Sequence, residues 1–278
     1  MPRLIHRVAR AAFRLFPPLK KWDYLVNGLR SRFHPTDEEI TVRLLNRHDM
    51  IINPADGVSY EIFMRGCYEE STIAAMRSML EPDMTFFDIG THFGQYTLMA
   101  AAQVGPNGAV HSFEPGPIQY GFLSRNVALN HYKNVCLNNV ALSDRAGEMD
   151  FVVPSLGSLG QSHLATAGES GHKVHVITLD GYCEENDIKK IDVMKVDVEG
   201  AEMQVFKGAN NVLRDFPPTA IFYETIDILN KNFGYTCDEM HEVFESRGYS
   251  INVVLDKKIV PISKEKRNDF FDFIALRR

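Results

Sequence analysis

The sequence predicts an α/β protein built on a mostly parallel sheet, and three observations carry that expectation. Apolar runs that read as strands alternate with helical patterns along most of the chain. One run, Thr85 to Ile89, passes through glycines at 90 and 94 into a helical pattern carried by Tyr96, Leu98, Met99, Ala101 and Ala102. That is the order strand, tight turn, helix. The next run, Ala109 to Phe113, ends on Glu114-Pro115, at the strand end where open α/β sheets present groups to a ligand.

Composition sets the bounds. A chain of 278 residues, 45% hydrophobic and 24% charged, suits one large domain with appendages. No apolar stretch reaches the ~18 residues of a membrane span. The cysteines Cys67, Cys136, Cys183 and Cys237 lack C-x-x-C spacing, so they read as reduced thiols with no zinc site, in a cytoplasmic setting. Residues 1–35 hold eight basic groups against Asp23 alone, which leaves 22 basic and 35 acidic groups for the rest. So acidic a body excludes general affinity for nucleic acid, which needs a basic surface.

Three regions follow. Residues 1–35 form a basic segment: over residues 3–16 the four arginines fall on one helical face, with Leu4, Ile5, Val8, Leu15 and Phe16 opposite, and Pro17-Pro18 ends the pattern. Residues 1–22 thus suit peripheral contact with the inner, anionic face of a membrane. Packing on the domain itself or on a second copy in a homo-oligomer, and an organelle-targeting presequence, are the alternatives. Over 36–83 the alternation Ile40, Val42, Leu44, then Met50, Ile51, Ile52 predicts an edge hairpin around Asn46–Asp49, followed by a helix over 71–80 with Ile73, Met76 and Leu80 inward. The catalytic region, 84–278, has a helix to about Gln103, the Glu114 strand, a helix over 118–130, a third strand over 135–142, and two strands at 148–153 and 173–177. The Gly/Ser-rich stretch near 154–172 reads as a mobile insertion over the site. Further strands are expected at 191–197, 219–223, 250–255 and 270–275, with a helix over 237–246.

The glycine loop defines its ligand. A dinucleotide fingerprint is G-x-G-x-x-G, whereas here His92 takes the middle position in a G-x-x-x-G pattern, a poor fit for a pyrophosphate. Glu114 is placed to accept hydrogen bonds from both ribose hydroxyls, and the helix N-terminus after Gly94 suits a carboxylate. An adenosine carrying an amino-acid tail meets both demands.

Four ordered motifs resemble the FkbM family of methyltransferases: Phe87-Asp88-Ile89-Gly90-Thr91-His92-Phe93-Gly94-Gln95-Tyr96-Thr97, Phe113-Glu114-Pro115, Thr178-Leu179-Asp180, and Lys195-Val196-Asp197-Val198-Glu199-Gly200-Ala201-Glu202. A Gly-x-Tyr-Glu stretch at Gly66–Glu69 adds to them. The resemblance implies a class I methyltransferase, Rossmann-like fold: a mostly parallel seven-stranded sheet, helices on both faces, and an antiparallel C-terminal strand. It implies S-adenosyl-L-methionine as cofactor and transfer to a hydroxyl of a small-molecule, glycan or lipid acceptor. Asp88, Gly90, Thr91, His92 and Gly94 would shape the methionine pocket, Glu114 and Pro115 the ribose end, and Ala141 and Leu142 the adenine site. The family usually has Asn where His92 stands.

An alcohol acceptor must lose its proton. Asp197, Glu199 and Glu224, at strand ends, are the candidate catalytic carboxylates, with Asp197 also facing the cofactor; His92 and His163 are further base candidates. Asp197 and Glu199, two apart on a continuing strand, would point the same way, and like charges held close raise one pKa. Glu202 has the plainer reading of neutralising a helix N-terminus. Tyr68, Glu69 and His163 are the candidate acceptor contacts. The spacing requires no metal. Rival readings are a nicotinamide-dependent oxidoreductase, disfavoured by His92, and a non-catalytic S-adenosylmethionine-binding protein.

Overall fold

The computed structural model describes Gly28 and residues 37–277, so the amphipathic segment expected over residues 3–16 lies outside the described residues. The first ladder pairs β1 (Ile40–Arg43) with β2 (Asp49–Ile52) antiparallel, as the alternation predicts. It is not an edge of the main sheet but a separate two-stranded sheet. Its inner residues Val42, Met50 and Ile52 are buried. The Ile51 backbone is satisfied by a side chain instead of a strand: Asn126 accepts from its N–H at 2.7 Å and donates to its carbonyl at 3.1 Å.

Two helices, not one, lead into the central strand. Asp56 closes the turn after Asn53 and caps α1 (Gly57–Arg65), its carboxylate accepting from the Ser59 N–H at 2.9 Å. Then comes α2 (Glu70–Arg77), with Ile73, Met76 and Leu80 buried as expected. The order continues β3 (Thr85–Ile89), α3 (Gln95–Val104), β4 (Ala109–Phe113), α4 (Pro117–Leu129), β5 (Val135–Asn138), β6 (Ala141–Leu142), β7 (Gly147–Val152), β8 (His163–Leu164), β9 (His172–Ile177), α5 (Leu179–Glu185), β10 (Val193–Val196), α6 (Glu202–Lys207), α7 (Asn210–Asp215), β11 (Ala220–Glu224), α8 (Asp227–Asn230), α9 (Cys237–Glu245), β12 (Tyr249–Leu255), β13 (Lys258–Pro261) and β14 (Asp272–Arg277).

The main sheet runs β13-β12-β14-β11-β10-β3-β4-β5. From β5 to β11 the strands are parallel, and β14 enters antiparallel between β11 and β12. This is the class I methyltransferase arrangement, with one strand more than the seven expected. The extra strand, β13, returns antiparallel on β12 through Asp256 and Lys257, both at positive φ. Two-residue turns of that kind are usually announced by Gly or Asn, and neither is present here.

The strand period sends Phe86 and Phe87 to opposite faces. Phe86 belongs to the buried cluster that holds Met76, Met99 and Val110, and Phe87 lies on the other side against the rings of Phe113 and Tyr182, with centroids 5.7 and 6.0 Å away. Phe86 and Phe87 are fully buried, each contributing about 1.5–3 kcal/mol of transfer free energy. The expected third strand over 135–142 divides: β5 completes the main sheet, whereas β6 joins a small sheet of order β6-β9-β7-β8. The Gly/Ser-rich stretch is correspondingly more built than a bare loop, with a 3-10 helix (Leu156–Gln161) and β8, anchored by buried Leu159 and Leu164.

Candidate active site

Connections leave β3 toward β4 and leave β10 toward β11, so the strand order reverses between β3 and β10. Crevices at such points are where open α/β sheets bind ligands. A cavity sits there, lined among others by Gly90, Thr91, His92, Glu114, Pro115, Ala141, Leu142, Asp197, Glu199 and Glu224. Gly90 has φ +82°, and a Cβ there would lie 1.7 Å from the Asp197 carbonyl oxygen. The loop after β3 therefore touches the backbone at the end of β10, and glycine is required on both counts. Gly94, φ +90°, is the N-cap of α3 and would meet Leu123 at 2.5 Å.

Each loop residue has a distinct task. Asp88 is fully buried and accepts from Thr97 Oγ1 at 2.6 Å, which fixes the base of the loop, while its other oxygen has no partner. Thr91 Oγ1 is likewise buried without one. His92 donates its backbone N–H to Glu114 Oε2 at 2.9 Å and stacks its ring on Phe93 at 4.1 Å. Burial lowers the His92 pKa, against the pull of Asp56, so the ring is neutral and a poor partner for phosphate.

Glu114 accepts from the N–H groups of His92 and Gly116, at 2.9 and 2.8 Å. Burial nevertheless pushes its carboxyl up to about 8. Each oxygen keeps a second lone pair, so the group can still accept a pair of hydroxyls. Gln119 beside it holds Ser162 Oγ and the Leu159 carbonyl through Nε2, and its Oε1 is unpartnered. These orphaned acceptors on a glycine-shaped cradle fit an adenosine with a zwitterionic tail.

At the opposite end lie the acids. Asp197 follows β10, Glu224 ends β11, and Asp272, paired in register with Glu224, begins the antiparallel β14. Antiparallel entry is what brings the start of β14 to the edge where the other strands finish. Asp197, Glu199 and Glu224 offer oxygens within 4.8 Å of one another. The expectation that a continuing strand aligns Asp197 and Glu199 fails, because the strand stops at Val196 and Glu199 turns the chain at φ +56°. Proximity comes from the turn. Burial and then Asp197 push Glu199 up to about 8; burial, Asp197 and Glu199 push Glu224 up to about 10.

Lys195 governs this cluster, and sequence reasoning gave it no role. It stands in register with Asp88, is 6% exposed, donates to Asp197 Oδ2 at 2.7 Å, and lies 4.7 Å above the Tyr96 ring. Burial opposes its charge, but Asp197, Asp88 and Glu69 together hold its pKa above the usual lysine value. A lysine in the otherwise apolar strand Val193–Val196 was the available signal, since buried lysines are rare unless paired. Asp272, which burial and then Glu69 push up to about 7, carried no such mark. The spacing of the three carboxylates also suits an oxygen-ligated divalent cation, but Lys195 already neutralises Asp197.

Other candidates fall in different places. Glu69 accepts from Tyr96 Oη at 2.5 Å, and Tyr68 is tied to Gln95 by two bonds, at 2.8 and 3.0 Å; both line the cavity. His163 does not line it; the ring faces Glu169 at 3.4 Å on a neighbouring cleft. Glu202 is 1% exposed and accepts from Val198 and Gly200 N–H groups and from Tyr235 Oη, so it pins the turn. Thr178 caps α5, and Asp180 accepts from the Asn211 and Val212 N–H groups at the start of α7; that motif joins helices.

Residues 88–251 match the Methyltransferase FkbM domain. Among proteins of known activity, the chain is similar to the hexuronic acid methyltransferase AglP of Haloferax volcanii, 27% identical over 52% of this chain and 58% of that protein. It is also similar to the 31-O-demethyl-FK506 methyltransferase FkbM of Streptomyces tacrolimicus, 27% identical over 56% of this chain and 68% of the relative. Among solved structures, a SAM-dependent O-methyltransferase from Thermotoga maritima aligns over 87% of this chain and 93% of its own, at 9% identity and a TM-score of 0.43.

Proposed function

We propose, from the premise that this chain belongs to the FkbM family of methyltransferases, that it O-methylates a hydroxyl of a sugar, glycolipid or other natural product with S-adenosylmethionine as donor. The observation that carries this is the gathering of Asp197, Glu199 and Glu224 at one end of a cavity whose other end holds Glu114. When bound, S-adenosylmethionine supplies a sulfonium-activated methyl group for in-line displacement. The loop from Gly90 to Gly94 would receive the methionine part, Glu114 the ribose hydroxyls, and Ala141 with Leu142 the adenine.

The chain's own chemistry is orientation and removal of a proton. Lys195 fixes Asp197, leaving Glu199 to accept the acceptor's hydroxyl proton. A carboxylate poised near 8 is matched to neutral pH, where general bases work best. Glu224, still higher, suits a hydrogen-bond donor to the acceptor. Tyr68 and Glu69, which line the same cavity, would contact the acceptor. The test is label transfer from methyl-labelled S-adenosylmethionine to extracted glycolipids and polysaccharides. Label in a hydroxyl ether is expected; binding of a nicotinamide cofactor, or tight S-adenosylmethionine binding with no transfer across the screen, would replace the reading.

Residues 1–22 are proposed as a peripheral membrane contact, on sequence grounds alone: each Lys or Arg near an anionic surface is worth about 1 kcal/mol. No helix among the described residues is long and apolar enough to cross a membrane. Intact chain should pellet with anionic vesicles at low salt and not with neutral ones. If it stays in the supernatant, while deleting residues 1–20 changes the mass in solution, the segment joins subunits instead.

A further inference from the structure

A second cleft of about 660 Å³ opens beside the cofactor cavity and shares Val58, Tyr68, Gly160 and Glu199 with it. Its volume lies within the usual range for small-molecule sites, and Glu199 stands on the boundary between the two. One wall is acidic. Asp56 is 1% exposed and held by the Ser59 and Leu159 N–H groups, at 2.9 and 3.0 Å; Glu61 pairs with Arg65 at 3.4 Å. The other wall is apolar: Ile226, Leu229 and Phe233 with Ile228, whose 75% exposure is the largest of any large hydrophobic residue among those described. No lysine or arginine is among the described residues that line the cleft, and its histidine, His163, faces Glu169.

We propose that this cleft is the acceptor site and that it selects an uncharged glycosyl unit, its C–H face on Ile228, Leu229 and Phe233 and its hydroxyls toward Glu199. The inference rests on the methyl-transfer reading and deepens it. A carboxylate or phosphate on the acceptor would enter a cleft whose described lining offers no lysine or arginine to pair with it and sets the buried Asp56 carboxylate beside it. Glu199 and Glu224, raised to about 8 and about 10, are protonated at neutral pH and can meet neutral hydroxyls as hydrogen-bonding groups. An ionised group taken out of water into a cleft with no described cation to pair with it is strongly disfavoured. A neutral sugar has hydroxyls to donate to carboxylates on one side and an apolar face for the other.

The test uses the full chain, labelled S-adenosylmethionine and a matched pair of acceptors, p-nitrophenyl β-D-glucopyranoside and p-nitrophenyl β-D-glucuronide. The neutral glycoside should be labelled with kcat/KM at least about tenfold higher, the ratio expected of one like-charge contact at a partly shielded site. Ile228→Lys, at an exposed position that leaves the fold alone, should shrink that ratio by raising the rate on the glucuronide. Equal rates, or a faster glucuronide, would overturn the proposal. So would labelling of neither while S-adenosylhomocysteine still binds, which leaves the cofactor reading standing. Loss of S-adenosylhomocysteine binding in the wild-type chain would remove the methyl-transfer reading itself.

Discussion

At Glu114 the burial of a carboxyl and the binding of a ligand pull in opposite directions. Burial raises its pKa to about 8 in the ligand-free protein, whereas ribose hydroxyls donate best to the ionised form. Affinity for S-adenosylhomocysteine should therefore climb as pH rises toward 8, by up to about tenfold per unit, and level off above. In Glu114→Gln the climb should vanish and binding at pH 8 fall by about tenfold or more, since hydrogen bonds to a charged group are worth about 1.5–3 kcal/mol; calorimetric titration across pH reads both, and a pH-independent wild type would remove the ribose assignment. Glu199→Gln and Asp197→Asn should behave differently: kcat lower by about 10²–10⁴-fold with S-adenosylhomocysteine affinity nearly kept. Unchanged turnover in both would show that neither carboxylate assists the proton.

Two glycines on neighbouring elements give opposite expectations. Gly90→Ala places a methyl against the Asp197 carbonyl, 1.7 Å away, at φ +82°; the left-handed backbone alone costs about 1–2 kcal/mol, so cofactor binding and folding should both suffer. Gly121→Ala, inside α4 with no atom within 4 Å of the new Cβ, should instead stabilise by about 0.5–1 kcal/mol, seen as a higher melting temperature. The strand, loop and helix around Gly90 were legible from the sequence because apolar run, glycines and helical period follow one another without a break. The turn at Glu199 was not, since a glutamate at positive φ leaves no trace in composition, and its proximity to Asp197 was expected for the wrong geometric reason. The hairpin at 40–52 was legible as a ladder but not in its placement, which depends on the side chain of Asn126, 75 residues beyond Ile51. Likewise α1 hides behind the β-branched and aromatic residues Val58, Tyr60, Ile62 and Phe63, and Asp272 gains its meaning only from the direction in which β14 enters.

Taken as a whole, the ligand-free molecule carries a load of buried acids. Glu114 and Glu199 sit near 8, Glu202 and Asp272 near 7 and Glu224 near 10, all above the usual carboxylate range. Groups raised in this way contribute stability at low pH that is lost as pH rises through those values. His111 and His241, which burial lowers to about 4, act in the other sense, and only below about 6.5. From pH 6.5 to 9 the carboxyls act alone, so the melting temperature should fall steadily over that interval, by about 2–4 °C per kcal/mol lost, in differential scanning calorimetry; a rising temperature would mean that the cluster is ionised and paired. The same molecule-wide view applies to β14, which follows β12 and β13 in the chain yet lies between β11 and β12 in the sheet. On the ribosome the β12–β13 hairpin is made before the strand it must lie against, and β11 waits with an open hydrogen-bonding edge. Until residues 272–277 pair, the acidic end of the cavity lacks Asp272 and the parallel half-sheet ends on the open edge of β11, the kind of edge on which another chain can add a strand.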